Sequence, residues 1–525
     1  MASVTAKSRS VPMSLMSGGA FRRPKTARAM APARMPRAWP QTTFRGWASW
    51  ASGKAKTMKI VGPIGGTTSG FWKTVASAAR KKTISVPVTT TKKAGERSWL
   101  LMSAMFWGMR GRIAPTLTTG TVSAVTIDLA AAQRRLRSTT FLASFDRFTI
   151  PPLLVPIGLS FGVPLGTAAF AASAYFVTYG LMQPFWGGMS DRVGRVRVIR
   201  LAVVAAGLCG ALAALAPTFA VLVVARFLAG TFCAAIAPTG VIYLGDAVRG
   251  EQPRQHALAV MMAWGTGGVT VATIIAGVCA QFLSWRVAFA LTAVLAAGIS
   301  VFLVKLPEPA REHPSHSFAS FAAGAIRRPW VMTVWVLAFL EGCVIFGALT
   351  FISASLQQDG VGAALAGSAA AGFGIANIVC TPLVTRSITR VASPLLIAGG
   401  ASLAAVGLAT AGLDTLVVTA VFATLCLGAG FGFLHSTMQL WATQVYPEAR
   451  AYTVSFFVAG VFLGGAVVSA AAAPLADAGH FGTIFLGAAG LAAVVAIFGS
   501  LLRARYRAIY HPPRPTEPEE GALAP

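Results

Sequence analysis

Four ionisable side chains stand inside long apolar runs of this sequence: Asp146, Arg147, Arg226 and Glu341. At the middle of a membrane helix each costs about 2.5–3.5 kcal/mol, so such residues persist where they pair or face a polar cavity. A carboxylate held there is a candidate proton site, because low polarity penalises its charged form and a changing environment can load or release the proton. Asp146 and Glu341 come from opposite halves of the apolar region, and Arg226 can tune Asp146 by pairing with it. A second account makes Asp146–Arg147 an interfacial pair that reaches outward to water. Glu341 sits deeper in its run and leaves less room for that account. His435 and Gln439 stand four apart, on one face of a helix, and are candidates for substrate contact. A buried histidine satisfied by a neighbouring helix is the alternative.

The elements that must position these groups follow from composition. The chain has 525 residues, of which 55% are hydrophobic and 11% charged, and its mean hydropathy is +0.67. A soluble domain carries about 25% charged residues, so so few charges could not cover a water-facing surface of this size. The sequence reads as an all-α polytopic membrane protein. Apolar stretches near 139–160, 167–187, 198–216, 218–242, 257–281, 286–306, 330–353, 363–385, 394–412, 415–437, 451–475 and 481–502 give twelve spans. Each is about 20 residues or longer, the length a helix needs to cross a bilayer. Lipid offers backbone groups no partner, so the spans must be helices. The loops put seventeen Arg and Lys on one side and Arg286 alone on the other, which places both termini in the cytoplasm.

A longer loop, 307–329, divides the spans into an N-terminal half (138–306) and a C-terminal half (330–503), followed by a tail at 504–525. The halves echo each other. Pro184 precedes Asp191-Arg192 at the same spacing as Pro382 precedes Thr389-Arg390, and Gly230 precedes Asp246 as Gly428 precedes Gln444. Parallel six-helix repeats with a substrate site between them are an established transporter design.

Residues 1–137 are a different object. They hold 24 Lys and Arg against Glu96 and Asp128 alone, whereas 138–525 hold 20 basic and 14 acidic residues. The segment lacks helical or strand periodicity and any run long enough to cross a membrane. Three readings stay open: a start placed too far upstream, an organellar targeting segment, or a basic arm for anionic lipid or nucleic acid. The six cysteines all lie in apolar runs without Cys-x-x-Cys spacing, so small buried thiols are expected rather than disulfides or a metal site.

The loop after the second span reads Gly187-Gly188-Met189-Ser190-Asp191-Arg192-Val193-Gly194-Arg195. Its glycines permit a tight turn, and Asp191 beside two arginines can form alternative ion pairs that latch one conformation; a hairpin whose arginines only set topology is the plainer alternative. The stretch resembles the signature Gly-x-x-x-Asp-Arg-x-Gly-Arg of the major facilitator superfamily, matched at Gly187, Asp191, Arg192, Gly194 and Arg195. Arg226-Phe-Leu-Ala-Gly230 is similar to the Arg-x-x-x-Gly of its bacterial drug:proton antiporters and sugar-efflux permeases, which implies proton coupling at Arg226. Asp146 resembles their acidic first-span position, and Asp246 the aspartate that pairs with the loop arginines. Leu434–Gln439 and Pro447–Arg450 are similar to the permease branch. Thr389 departs from a second-repeat aspartate, and span 5 lacks the Gly-Pro pair typical of antiporters.

No Walker loop or His-Glu-x-x-His is present, so an enzyme or a nucleotide-driven pump is not expected, and no cofactor is implied. The expectation is a monomeric transporter of the cell inner or plasma membrane. It moves a small organic molecule outward against protons, with lipid and no nucleic acid as partner. Proton-coupled uptake of a carboxylate or sugar is the alternative, and a non-transporting receptor or scaffold a second.

Overall fold

The computed structural model describes residues 128–309, 321 and 324–510. The basic N-terminal extension up to residue 127, Arg311 with most of the central loop, and Arg514 lie outside the described residues. Among those described there is no strand.

The first crossing is built from α1 (Leu129–Phe148), a 3₁₀ turn (Pro151–Leu153) and α2 (Leu154–Phe161). It starts earlier than the span read from the sequence, because the Asp128 carboxylate caps the helix by accepting from the Ala131 N–H at 3.1 Å. Pro151-Pro152 then interrupts it: proline supplies no N–H and its ring crowds the preceding turn. This crossing is therefore jointed where the sequence suggested one rod. Expression from residue 125 keeps the Asp128 cap and should give full membrane insertion and normal transport. Loss of insertion, scored by membrane fractionation, would show that the extension does more than precede the fold.

The rest of the first half comprises α3 (Leu165–Val193), α4 (Arg195–Ala214), α5 (Phe219–Cys233), α6 (Ile236–Ala247), α7 (Glu251–Phe282) and α8 (Trp285–Leu303). The second half comprises α9 (Pro329–Gly342), a π turn (Cys343–Gly347), α10 (Ala348–Gln358), α11 (Ala363–Ala370), α12 (Gly372–Arg390), α13 (Ser393–Leu413) and α14 (Val417–Val445). It continues with α15 (Arg450–Ala471), α16 (Ala473–Asp477), α17 (Phe481–Val494), a second π turn (Val495–Gly499) and α18 (Ser500–Tyr510). Joined end to end, these give eleven helices long and apolar enough to cross a membrane among the described residues. The jointed first crossing makes the twelfth.

Small residues let these helices touch. A Cβ on Gly230 would collide with the Tyr175 carbonyl oxygen, and one on Gly428 with that of Phe373. Both members of the pair recur 198 residues on (Tyr175 to Phe373, Gly230 to Gly428), the offset that also relates Pro184 to Pro382, so the repeat extends from sequence to packing. Ala272 and Ala276 of α7 are fully buried, as close helix packing requires. Five of the six cysteines are buried and all are free thiols.

Candidate functional site

A cavity of 580 Å³ opens between the two halves. Its wall comes from α1, α3, α6 and α7 on one side and from the first π turn, α12, α14 and α15 on the other. Aromatic side chains set its middle: Phe346 stacks on Phe462 at 5.2 Å between centroids, and Phe373 meets Phe431 at 5.5 Å. Arg147, Gln183, Asn377, His435, Gln439 and Arg450, with several Ser and Thr hydroxyls, bring polar atoms to a mostly apolar surface.

His435 and Gln439 both line this cavity, as their shared helical face implied. The imidazole stacks on Phe431 (4.4 Å) and contacts Phe457 (5.1 Å). Its Nδ1 lies 3.0 Å from Oε1 of Glu341, which is fully enclosed. The other carboxylate oxygen, Oε2, is buried without a partner. Two glycines force this enclosure. A Cβ on Gly342 would strike the Val461 carbonyl and one on Gly464 that of Phe339, so α9 and α15 cross almost backbone to backbone beside Glu341. The π turn begins two residues later, and such turns recur at functional positions because they re-aim side chains; here Phe346 enters the cavity. The structure thus brings Glu341 together with His435, a pairing between spans 7 and 10 that spacing along the chain could not reveal.

Asp146 is also fully buried, but against Arg226 rather than on the cavity wall. Arg226 donates from Nη1 to the carboxylate at 2.9 Å and from Nη2 to the Asp146 carbonyl at 3.0 Å. Tyr175 and Phe289 flank the guanidinium at 4.5 and 5.1 Å. The account of Asp146–Arg147 as an outward-reaching pair fails: Asp146 faces Arg226, and its neighbour Arg147 points into the cavity.

The loop signature is assembled around Arg195. Its Nη1 meets Asp191 at 2.6 Å and its Nε meets Asp246 at 3.2 Å. Gly194 adopts φ +118°, a backbone that other residues avoid. Gly187 has open space where a Cβ would stand, so its place in the motif is not steric in this conformation. Arg192 is exposed at the end of α3. Glu308, which the sequence did not single out, caps α4 by accepting from the Arg195 and Val196 N–H groups at 2.6 and 3.0 Å. The start of the central loop is thereby tied to the latch. In the second half the Thr389 hydroxyl, among the described residues, bonds only the Arg386 carbonyl one turn back. Gln444, the counterpart of Asp246, instead accepts from Arg503 at 2.9 Å. Asp191→Asn should accordingly leave insertion intact and slow transport at least tenfold, while Thr389→Val changes it less than twofold. Equal effects in a vesicle transport assay would remove this asymmetry.

At the opposite end, side chains fasten one half to the other. Gln357 donates to the Pro152 carbonyl at 3.0 Å, Asp477 accepts from the Gly166 N–H at 2.6 Å, and Gln281 accepts from the Ala364 N–H at 2.8 Å. None of the three was legible beforehand, since each joins a side chain to distant backbone. Among the described residues no group of His, Cys, Asp or Glu is arranged to hold a metal.

The Major Facilitator Superfamily model matches residues 138–456 and 334–525. The multidrug efflux pump LfrA of Mycolicibacterium smegmatis is 27% identical over 260 residues, 47% of each chain. The puromycin resistance protein pur8 of Streptomyces alboniger is 26% identical over 175 residues, 31% of this chain and 35% of that protein. The match thus spans half or less of these relatives' own length. In fold, the crystal structure of a D-xylose-proton symporter superposes with a TM-score of 0.59 at 16% identity, covering 70% of this chain and 97% of that one. The nucleoside transporter NupG gives 0.60 at 14%, covering 71% and 99%. Matched across both halves, the chain belongs to the Major Facilitator Superfamily, with eleven helices among the described residues long and apolar enough to cross a membrane.

Proposed function

We propose that the protein is a secondary transporter that exports a small organic molecule in exchange for protons by alternating access. The observation that carries this reading is the Glu341–His435 contact at the cavity wall. Glu341 has no exposed surface, whereas His435 keeps 19% of its side chain accessible. A proton entering from the cavity reaches the imidazole first and passes to the carboxylate across 3.0 Å. One proton shared by the pair leaves a neutral wall for the loaded state. Its departure leaves a charge that favours reorganisation of the surrounding helices. Asp146 and Arg226 complete the coupling set by holding α1 to α5. The Asp191–Arg195–Asp246 cluster holds one end of the first half in register, and the three bonds at the far end fasten the two halves there.

Outward direction is supported by the relatives whose names describe an efflux pump and a resistance protein. The arginine distribution supports cytoplasmic termini in a cell membrane. The experiment is reconstitution in proteoliposomes with an imposed pH gradient and a panel of dyes, sugars and amino acids, with and without an uncoupler. Gradient-dependent movement that the uncoupler abolishes is the expected result. Equal movement with and without the gradient would reduce the protein to a facilitator.

A further inference from the structure

We propose that the transported molecule is an organic anion with an apolar or aromatic body, its negative group held by Arg147 and Gln183. This rests on the transport reading above and names the substrate class of the same cavity. Arg147 is permanently charged, yet no carboxylate lies within ion-pair distance of it among the described residues. Its neighbour in sequence, Asp146, is committed to Arg226. The Arg147 guanidinium has one hydrogen bond, from Nη2 to the Ser144 hydroxyl at 3.3 Å, and its Nε is buried with no partner. Rings of Phe462, Tyr179 and Phe148 surround it at 4.8, 4.9 and 5.2 Å, and the side chain is half-buried at the cavity wall. A cation so placed has more to gain from an incoming anion than any other group on the wall.

A second observation points the same way. Gln183, on α3, is 3% exposed, and its Nε2 is a buried donor with no partner. It lines the same cavity. Arg147 and Gln183 therefore each bring to the lining of one cavity a side chain with an N–H donor that has no protein partner, and a carboxylate, phosphate or sulfonate accepts from such donors. The lining contains Arg147, Arg450 and His435 but no Asp or Glu. A cationic substrate would meet two arginines with no carboxylate among the lining side chains, whereas Phe346, Phe373 and Phe431 offer an anion's apolar body a stacking surface.

The test uses three probes of one shape: naphthalene-2-sulfonate, naphthalene-2-sulfonamide and (naphthalen-2-yl)methylammonium. Equilibrium binding to the full-length protein in detergent is read by tryptophan fluorescence, without any gradient. The sulfonate should bind at least tenfold more tightly than the sulfonamide, and the ammonium most weakly. Arg147→Gln should bring the sulfonate down to the level of the sulfonamide without weakening the sulfonamide, and Arg147→Lys should keep part of the preference. Equal binding of the three probes by the wild type, binding of none, or an unchanged preference in Arg147→Gln would overturn the proposal. The wild-type series decides the matter even if the variant fails to fold. Failure of proton coupling would appear separately, as gradient-independent transport by a protein that still prefers the anion.

Discussion

Arg226→Ala is expected to destabilise the protein markedly and to abolish proton-driven transport. The substitution leaves Asp146 fully buried with its principal partner gone. Cys233 stays beside it, with the sulfur 3.9 Å from the carboxylate, too weak a donor to replace the guanidinium. Breaking a buried ion pair from one side costs about 3–5 kcal/mol, because the surviving charge keeps its desolvation penalty. A fall in the thermal midpoint of detergent-purified protein would record it. Removing both charges together, as in Asp146→Asn with Arg226→Met, should restore much of that stability, since no uncompensated charge remains. Transport should stay lost in the double variant if the pair serves coupling. Recovery of transport along with stability would make the pair a structural fastening only.

The second large effect is expected at Glu341. Glu341→Gln keeps the shape and can still hydrogen-bond His435, so folding and downhill exchange of substrate should persist. Accumulation against a gradient should fall at least a hundredfold, because the amide cannot take up or release a proton at physiological pH. A uniform loss of exchange and accumulation would instead mark Glu341 as part of the packing between α9 and α15. His435→Asn should slow coupled transport less than Glu341→Gln, since on this account the imidazole conducts the proton and the carboxylate holds it.

The membrane crossings were legible because lipid imposes a simple rule on sequence: about 20 apolar residues per crossing. Eleven of the crossings obey it, several of them assembled from two helical segments joined end to end. The first does not, because Pro151-Pro152 joints it and the Asp128 cap starts it early. At the site, the cost of charge in lipid picked out Asp146, Arg226 and Glu341 correctly as buried groups. It could not say that none of the three would line the cavity and that Glu341 would meet it only through His435, because helix rotation is set by packing. The Gly342 and Gly464 crossing that buries Glu341 depends on residues more than a hundred positions apart. Arg147 was visible as a charge in a span, but its role was hidden by the neighbouring Asp146, with which it seemed naturally paired. Glu308 carries no motif at all, and the repeat that sets Gln444 opposite Asp246 does not reveal what it binds. Their partners lie across the fold at the start of α4 and on α18.

If substrate movement is exchanged for protons through Glu341, a proton flux must accompany it. Proteoliposomes loaded with a pH-sensitive dye would receive on the outside a membrane-impermeant compound that the panel shows to be transported. Substrate entering down its gradient should drive protons out, so the internal pH should rise with wild-type protein and stay flat with Glu341→Gln. A fall in internal pH would mean uptake together with protons, and an equal rise in the variant would contradict the assignment of the proton to Glu341.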